Sequence, residues 1–388
     1  MVRAGRLAQQ ALARHRRRRT RCNRVDSTGA VRLRTATFAD GEAIAQLHKR
    51  NGMGDLDPVA WRAQWEAYPF AGEFRDIAIG WILETDTGRV VGYLGNVHML
   101  YDLGGRAVKG AIAAAWMVDA GHRNMSLRLL TAFYKQDGVD LFLNVSANPT
   151  TARLLTAMKV PRIPIASYDV PCFWAARPRT FAEAVLRKRG TPGASVLARP
   201  VGIVLTARDV LLRSGRGRLA SAVSRLSGFD GRFDSFWRSL CAGPPRLRAV
   251  RTRAVLEWRF GAQLRGGRAA IVAASQGGTL SGYAVLVRRQ SPELGLDAYD
   301  VADLQAIRDD PTTIRDLLLA SVSIAREDGV DAVKFLTGTP AKRAPADELR
   351  PYTYRLGHWQ LYYKVESPEL KTALSTADAW DCSLFDTY

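Results

Sequence analysis

The sequence predicts an α/β (α+β) chain of two similar units, each a mixed, mostly antiparallel sheet flanked by helices. Three observations predict it. The tetrapeptide Asp-Gly-Val-Asp occurs at 137–140 and again at 328–331. A glycine–tyrosine pair opens an apolar stretch at Gly92-Tyr93 and again at Gly282-Tyr283, so the pairs lie 190 positions apart and the tetrapeptides 191. The chain has 388 residues and is 47% hydrophobic, long for one core and comfortable for two of about 150 residues each. A shared period of that size is a whole folding unit.

The elements follow in order. Residues 31–37 read as a strand, with Val31, Leu33 and Thr35 alternating against Arg32 and Arg34. Asp40 is placed to cap the next helix, where Ala43, Ile44, Leu47 and His48 share a face. A second helix, 58–68, carries Trp61 and Trp65. Strands 77–84 and 90–98 flank Thr85-Asp86-Thr87-Gly88, a good hairpin turn. Residues 107–118 are almost wholly small and apolar, as in a strand covered on both faces. A helix at 125–136, a strand at 141–145, a helix at 149–158 and a strand-like stretch at 160–174 close the first unit. Residues 178–227 are rich in Arg, Gly and Ala with helical patterns at 181–189 and 201–213; they read as a helical connector with a solvated basic face. The second unit repeats the order with strands at 269–274, 280–288, 296–304, 333–337 and 360–365 and a helix at 311–327. The expected domains are therefore 1–30, 31–177, 178–227 and 228–388.

The net charge is +19. Nine arginines and one acid, Asp26, put +8 on residues 1–30 and leave +11 on the rest. The first thirty residues cannot bury a core and are expected to be disordered. They read as translation from an early start codon, as a phosphate-binding arm, or as a mitochondrial transit peptide, in that order. They lack the apolar stretch of a secretory signal. The remaining basic surface suits a phosphorylated partner but carries no aromatic–basic nucleic-acid motif. No apolar run reaches the about 18 residues of a membrane span. Cys22, Cys172, Cys241 and Cys382 are scattered, which argues against a zinc site or a disulfide scaffold and fits a reducing interior.

The chemistry concentrates after the covered strand. A helix that begins just past a strand aims unpaired N–H groups and its positive dipole end at one point, where a diphosphate fits. Here the stretch is Arg123-Asn124-Met125-Ser126-Leu127-Arg128. Ser126 is small enough for close approach, and Arg123 and Arg128 supply charge. Two solvated helix-start arginines are the alternative. Further on stands Asn148-Pro-Thr-Thr-Ala-Arg-Leu-Leu.

With this element order, residues 31–175 resemble the GNAT superfamily of acyl-CoA-dependent acyltransferases. The family's phosphate motif is Arg/Gln-x-x-Gly-x-Gly/Ala, which 123–128 match at Arg123 and depart from at Arg128. The resemblance implies that the covered strand splays from its neighbour. It also implies that backbone at Trp116, Met117 and Val118 binds the pantetheine arm and polarises the thioester carbonyl, and that Asn148 meets the cofactor. Trp116 as plain core is the competing reading. The family's proton-donating tyrosine falls at Leu155, and 108–118 contain no Asp or Glu, so the catalytic acid and base are unassigned. His98 is a candidate, with a structural histidine as its other reading. His122 reads as solvated, and Tyr101 and Tyr134 as core or rim. The matching stretch of the second unit, 309–319, has no glycine and opens with Asp309-Asp310, which would repel a diphosphate. Its final segment, Trp380-Asp-Cys-Ser-Leu-Phe-Asp-Thr-Tyr, resembles the closing segment of tandem GNAT and FemAB-like transferases.

The resemblance implies a cytoplasmic transferase moving an acyl group, acetyl first, from acetyl-CoA or another acyl-CoA to an amine or hydroxyl. The acceptor would be a small molecule held between the units: a sugar, an amino-sugar nucleotide or a small amine, anionic by preference. No metal and no membrane span are expected, and nucleic acid is disfavoured as a partner. The oligomeric state is not legible. The alternatives are a catalytically silent binder of CoA or an anionic ligand, and a FemAB-like or RNA-associated transferase.

Overall fold

Two mixed, mostly antiparallel sheets flanked by helices make up the chain, as the sequence predicts. The computed structural model describes residues 30–387 apart from 166–167, 214–221, 292–294 and 357–359. The arginine-rich tail expected at 1–30 lies, up to residue 29, outside the described residues.

The first sheet runs β1 (Val31–Thr35), β2 (Gly80–Thr85), β3 (Val90–Leu103), β4 (Arg106–Val118), β5 (Leu141–Ala147) and β14 (Gln360–Val365). The second runs β7 (Ala222–Leu226), β9 (Ala269–Gln276), β10 (Thr279–Ser291), β11 (Leu296–Ala306), β12 (Ala332–Phe335), β6 (Cys172–Ala175) and β13 (Tyr352–Thr353). A short β8 (Leu247–Ala249) pairs with the far end of β3. In each sheet one neighbour pair is parallel, β4–β5 and β11–β12.

The sixth strand of each sheet comes from the other half. β6 leaves the first half and pairs with β12, while β14 leaves the second and pairs with β5. This corrects the expectation that 160–174 closes the first unit. The stretch read as a helical connector holds α5 (Pro178–Lys188) and α6 (Ala194–Arg213), but also β7, an edge strand on β9.

The repeated sequences do the same work twice. Gly138 and Gly329 take φ of 76° and 68°, left-handed turns that favour glycine. The tetrapeptides' last aspartates then latch the strands beside them. Asp140 N–H donates to Lys109 O (2.9 Å), and Lys109 N–H to Asp140 Oδ2 (2.8 Å). Asp331 and Asp297 exchange the same two bonds, at 3.0 and 3.2 Å. A Cβ at Gly282 would lie 2.6 Å from Thr313 Cγ2 and 2.9 Å from Gln305 O, so that site demands glycine, and one at Gly92 would lie 2.8 Å from Leu83 Cδ1 and push that side chain aside. Tyr93 and Tyr283 beside them are buried with their hydroxyls engaged, by Trp61 Nε1 (3.1 Å) and Asp303 Oδ2 (2.7 Å).

The layers follow from which faces are apolar. α3 (Ser126–Tyr134) and α4 (Pro149–Ala157) cover the outer face of the first sheet, and α9 (Pro311–Glu327) that of the second. Between the sheets lies one shared core. It takes Ile44 and Leu47 of α1 (Gly41–Arg50), Trp61 and Trp65 of α2 (Pro58–Glu66), Phe233 and Phe236 of α7 (Gly231–Cys241), and Val255 and Phe260 of α8 (Arg253–Arg265). Asp40 does not cap α1 through its side chain. Its carboxylate instead accepts from Thr37 N–H (2.7 Å) and from Arg34 (2.9 and 2.7 Å).

Candidate functional site

β4 and β5 pair only from Gly110–Leu141 to Ile112–Leu143. Beyond that point the two strands part and leave a wedge. β4 is also bulged there. Its register against β3 slips between Tyr93–Met117 and Gly95–Ala114, and Ala115 sits at φ 49°. A bulge with a left-handed alanine costs on the order of 1 kcal/mol and re-aims main-chain groups. Such strain gathers at functional sites.

At the mouth of the wedge a 3-10 turn, Ala120–Met125, runs into α3, whose N-terminus has no side-chain cap. The positive end of the helix dipole lies there, and Ser126 N–H is held by Arg123 O of the preceding turn. Arg123 and Asn124 are exposed, and Met125 and Ser126 half-buried. Exposed Leu127 begins the outer surface of α3. Arg128 turns to β1, where its Nη1 donates to Val31 O (2.8 Å). Asp119, just before the turn, accepts from Arg50 (3.2 Å), Arg89 (3.3 Å) and Asn51 (3.1 Å). One acid is thus shared by two arginines, and with exposed Arg123 the charge of this stretch is net positive. Arg50 and Arg89 escaped the sequence reading because they come from α1 and the β2–β3 turn.

Trp116 is half-buried with Nε1 buried and unbonded, and Met117 and Val118 are buried. Asn148 caps α4, its Oδ1 accepting from Thr150 N–H (3.0 Å) and Thr151 N–H (2.9 Å). Leu155 is wholly buried. His98 stacks on Phe74, ring centroids 4.8 Å apart, with Nε2 near Ala78 O (3.2 Å). Burial lowers its pKa to about 4. It does not line the cleft described next, and neither do residues 116–128 or Asn148.

Between the sheets opens a cleft of about 650 Å³. The first half lines it with His48, Trp61, Trp65, Ala114, Ala115 and Ser146; the second with Phe260, Arg259, Arg289, Asp300, Lys334 and Leu336, among others. The bulge therefore faces the cleft. His48 is buried, its Nε2 has no hydrogen-bond partner, and desolvation lowers its pKa. Asp300 is buried at the side, and desolvation raises its pKa even though Lys334 (3.7 Å) and Arg289 (3.3 Å) pair with it. Its charge does not stand out in the sequence, because β11 also carries Asp297 and Asp303.

In the second half β11 pairs with the whole of the short β12, from Ala298–Ala332 to Val301–Phe335, and then runs on past its end. Beside that end of β11 stand the chain's own charged groups. Arg251 pairs with Asp303, Arg248 and Lys342 (on α10, Pro340–Glu348) with Asp381, and Lys342 also donates to Gln305, all buried. Asp310 caps α9 through Thr313 N–H (2.7 Å), and Asp309 pairs with Arg246.

No family model matches this chain, and no curated protein sequence does. Solved structures do. A GCN5-related N-acetyltransferase from Kribbella flavida superposes with TM-score 0.53 at 16% identity, over 87% of this chain and 71% of that one. One from Anabaena variabilis gives 0.51 at 11%, over 87% and 73%. The chain has a GNAT fold. Saccharomyces cerevisiae N-myristoyltransferase with bound myristoyl-CoA shares it, with TM-score 0.51 at 10% identity over 89% and 81%. Among the described residues, parted strands, a bulge and a helix without a side-chain cap come together in the first half; β11 is bulged too, between Val285–Asp303 and Leu286–Val301, but the helix after it is capped.

Proposed function

We propose that the chain is an acyltransferase moving an acyl group, acetyl in the first instance, from acyl-CoA to an amine or hydroxyl acceptor held between the sheets. The observation that carries this reading is the contrast between the two halves. The wedge of the first leads to a helix without a side-chain cap beside exposed Arg123, whereas the corresponding end of β11 carries buried ion pairs and leads to a capped helix. A diphosphate would take the first-turn N–H groups of α3 and the charge of Arg123. Main-chain donors freed along 113–118 would hold the pantetheine arm and the developing oxyanion. The second half is then a degenerate copy that supplies the acceptor's wall. There Arg289 and Lys334 share the single carboxylate of Asp300, which leaves positive charge for an anionic acceptor such as an anionic sugar. Asp300 and His48 are the lining side chains suited to take the nucleophile's proton. The nucleophile bonds to the thioester carbon, the C–S bond breaks, and CoA departs as the thiol.

A second reading rests on Leu155 and on the absence of acids from β4: a silent CoA binder. The experiment is thiol release from acetyl-CoA and longer acyl-CoAs across a panel of sugar, amino-sugar nucleotide and amine acceptors, in a cytoplasm-like reducing buffer. Acceptor-dependent release supports the transferase. A thermal shift with acyl-CoA and no release across the panel selects the binder. Salt-sensitive RNA binding with no CoA shift would select an RNA-associated transferase.

A further inference from the structure

Half of the exposed large apolar side chains among the described residues lie on one stretch of α6: Val196, Leu197, Val201, Ile203 and Val204, between 37% and 73% exposed. Helical spacing gathers them, with Pro200, on one side. Ala194, Ala198 and Gly202, at steps of four, take the opposite side and are buried. A Cβ at Gly202 would lie 2.9 Å from Arg179 Cα on α5, so the small residues let the two helices close together. This is the reverse of an ordinary surface helix, which buries its branched residues and shows its small or polar ones. A continuous apolar face of this kind marks a contact site.

Charge identifies what it contacts. Residues 177–220 hold ten Lys or Arg and two acids, Glu183 and Asp209. Glu183 is spent on Arg187. An apolar strip in so basic a stretch of chain matches acyl chains beneath anionic headgroups. A second copy of the same hairpin would bring like charges together. No described helix is long and apolar enough to cross a membrane, so the mode is attachment in the interface plane. We propose that the α5–α6 hairpin docks the protein on an anionic lipid bilayer, with α6 lying along the surface.

The test is flotation of the full chain with vesicles of phosphatidylglycerol and phosphatidylcholine, against phosphatidylcholine alone. The protein floats with the anionic vesicles only, and added salt weakens the association. The triple variant Val196→Ser, Ile203→Ser, Val204→Ser and the single variant Ile203→Asp each lower the bound fraction about tenfold or more, with circular dichroism and melting temperature unchanged. Absence of flotation overturns the proposal. So does undiminished binding by both variants, which would assign the attraction to the arginines of residues 1–30. A dimer that these substitutions split, without vesicle binding, would make the face a self-association surface instead.

Discussion

Asp300 and His48 are pulled in opposite directions by the same cause. Removal from water disfavours charge, so the carboxyl titrates above its usual range and the imidazole below its own. With Asp300 as base, the rate falls as pH drops through a value above the ordinary carboxylate range. Asp300→Asn should lower kcat about 100-fold and leave acyl-CoA affinity intact, while His48→Gln should keep the acidic limb. A pH–rate profile of both variants reads this directly. A second residue acts on stability. Asp386 is wholly buried, and desolvation lifts its pKa to about 6. An acid with a raised folded-state pKa stabilises most below the unfolded pKa, and that contribution disappears as pH rises through the folded value. Asp386→Asn should therefore raise the unfolding free energy at pH 8, by up to about 3 kcal/mol, with the gain shrinking toward pH 4. Chemical denaturation at the two pH values checks it.

At the scale of elements, the helix ends separate the halves. Asp310 satisfies the first turn of α9, and Asp310→Ala should cost about 1 kcal/mol, measured by urea unfolding, without creating a second CoA site. The same helix shows what a sequence reveals. Its span 311–327 is legible to the residue because cap, Pro311 and apolar period agree. β3 runs to Leu103, five residues past expectation, because its far end is held by β8, a three-residue partner from far along the chain. β7 is too short and too polar to stand out from the basic stretch around it. The site divides likewise. The run 123–128 was visible because it is contiguous. Arg50, Arg89 and Asp300 reach the mouth or the cleft only through strand pairing and sheet packing, which no local pattern encodes.

At the scale of the whole molecule, the exchange of β6 and β14 makes the halves interdependent. Each would lose an inner or closing strand, and expose the shared core, if separated. Residues 31–177 and 228–388 produced alone should be unfolded or aggregated, and the intact chain should melt in one cooperative transition by calorimetry; two independent transitions would contradict this. The buried pairs Arg251–Asp303 and Lys342–Asp381 hold together elements of the second half alone; the strand exchange and the β3–β8 pairing join it to the first. Titration calorimetry of acetyl-CoA into the intact chain tests the central claim most directly. One molecule should bind per chain, and Arg123→Glu should weaken binding about tenfold or more. No binding, two molecules per chain, or an unchanged affinity in Arg123→Glu would contradict it.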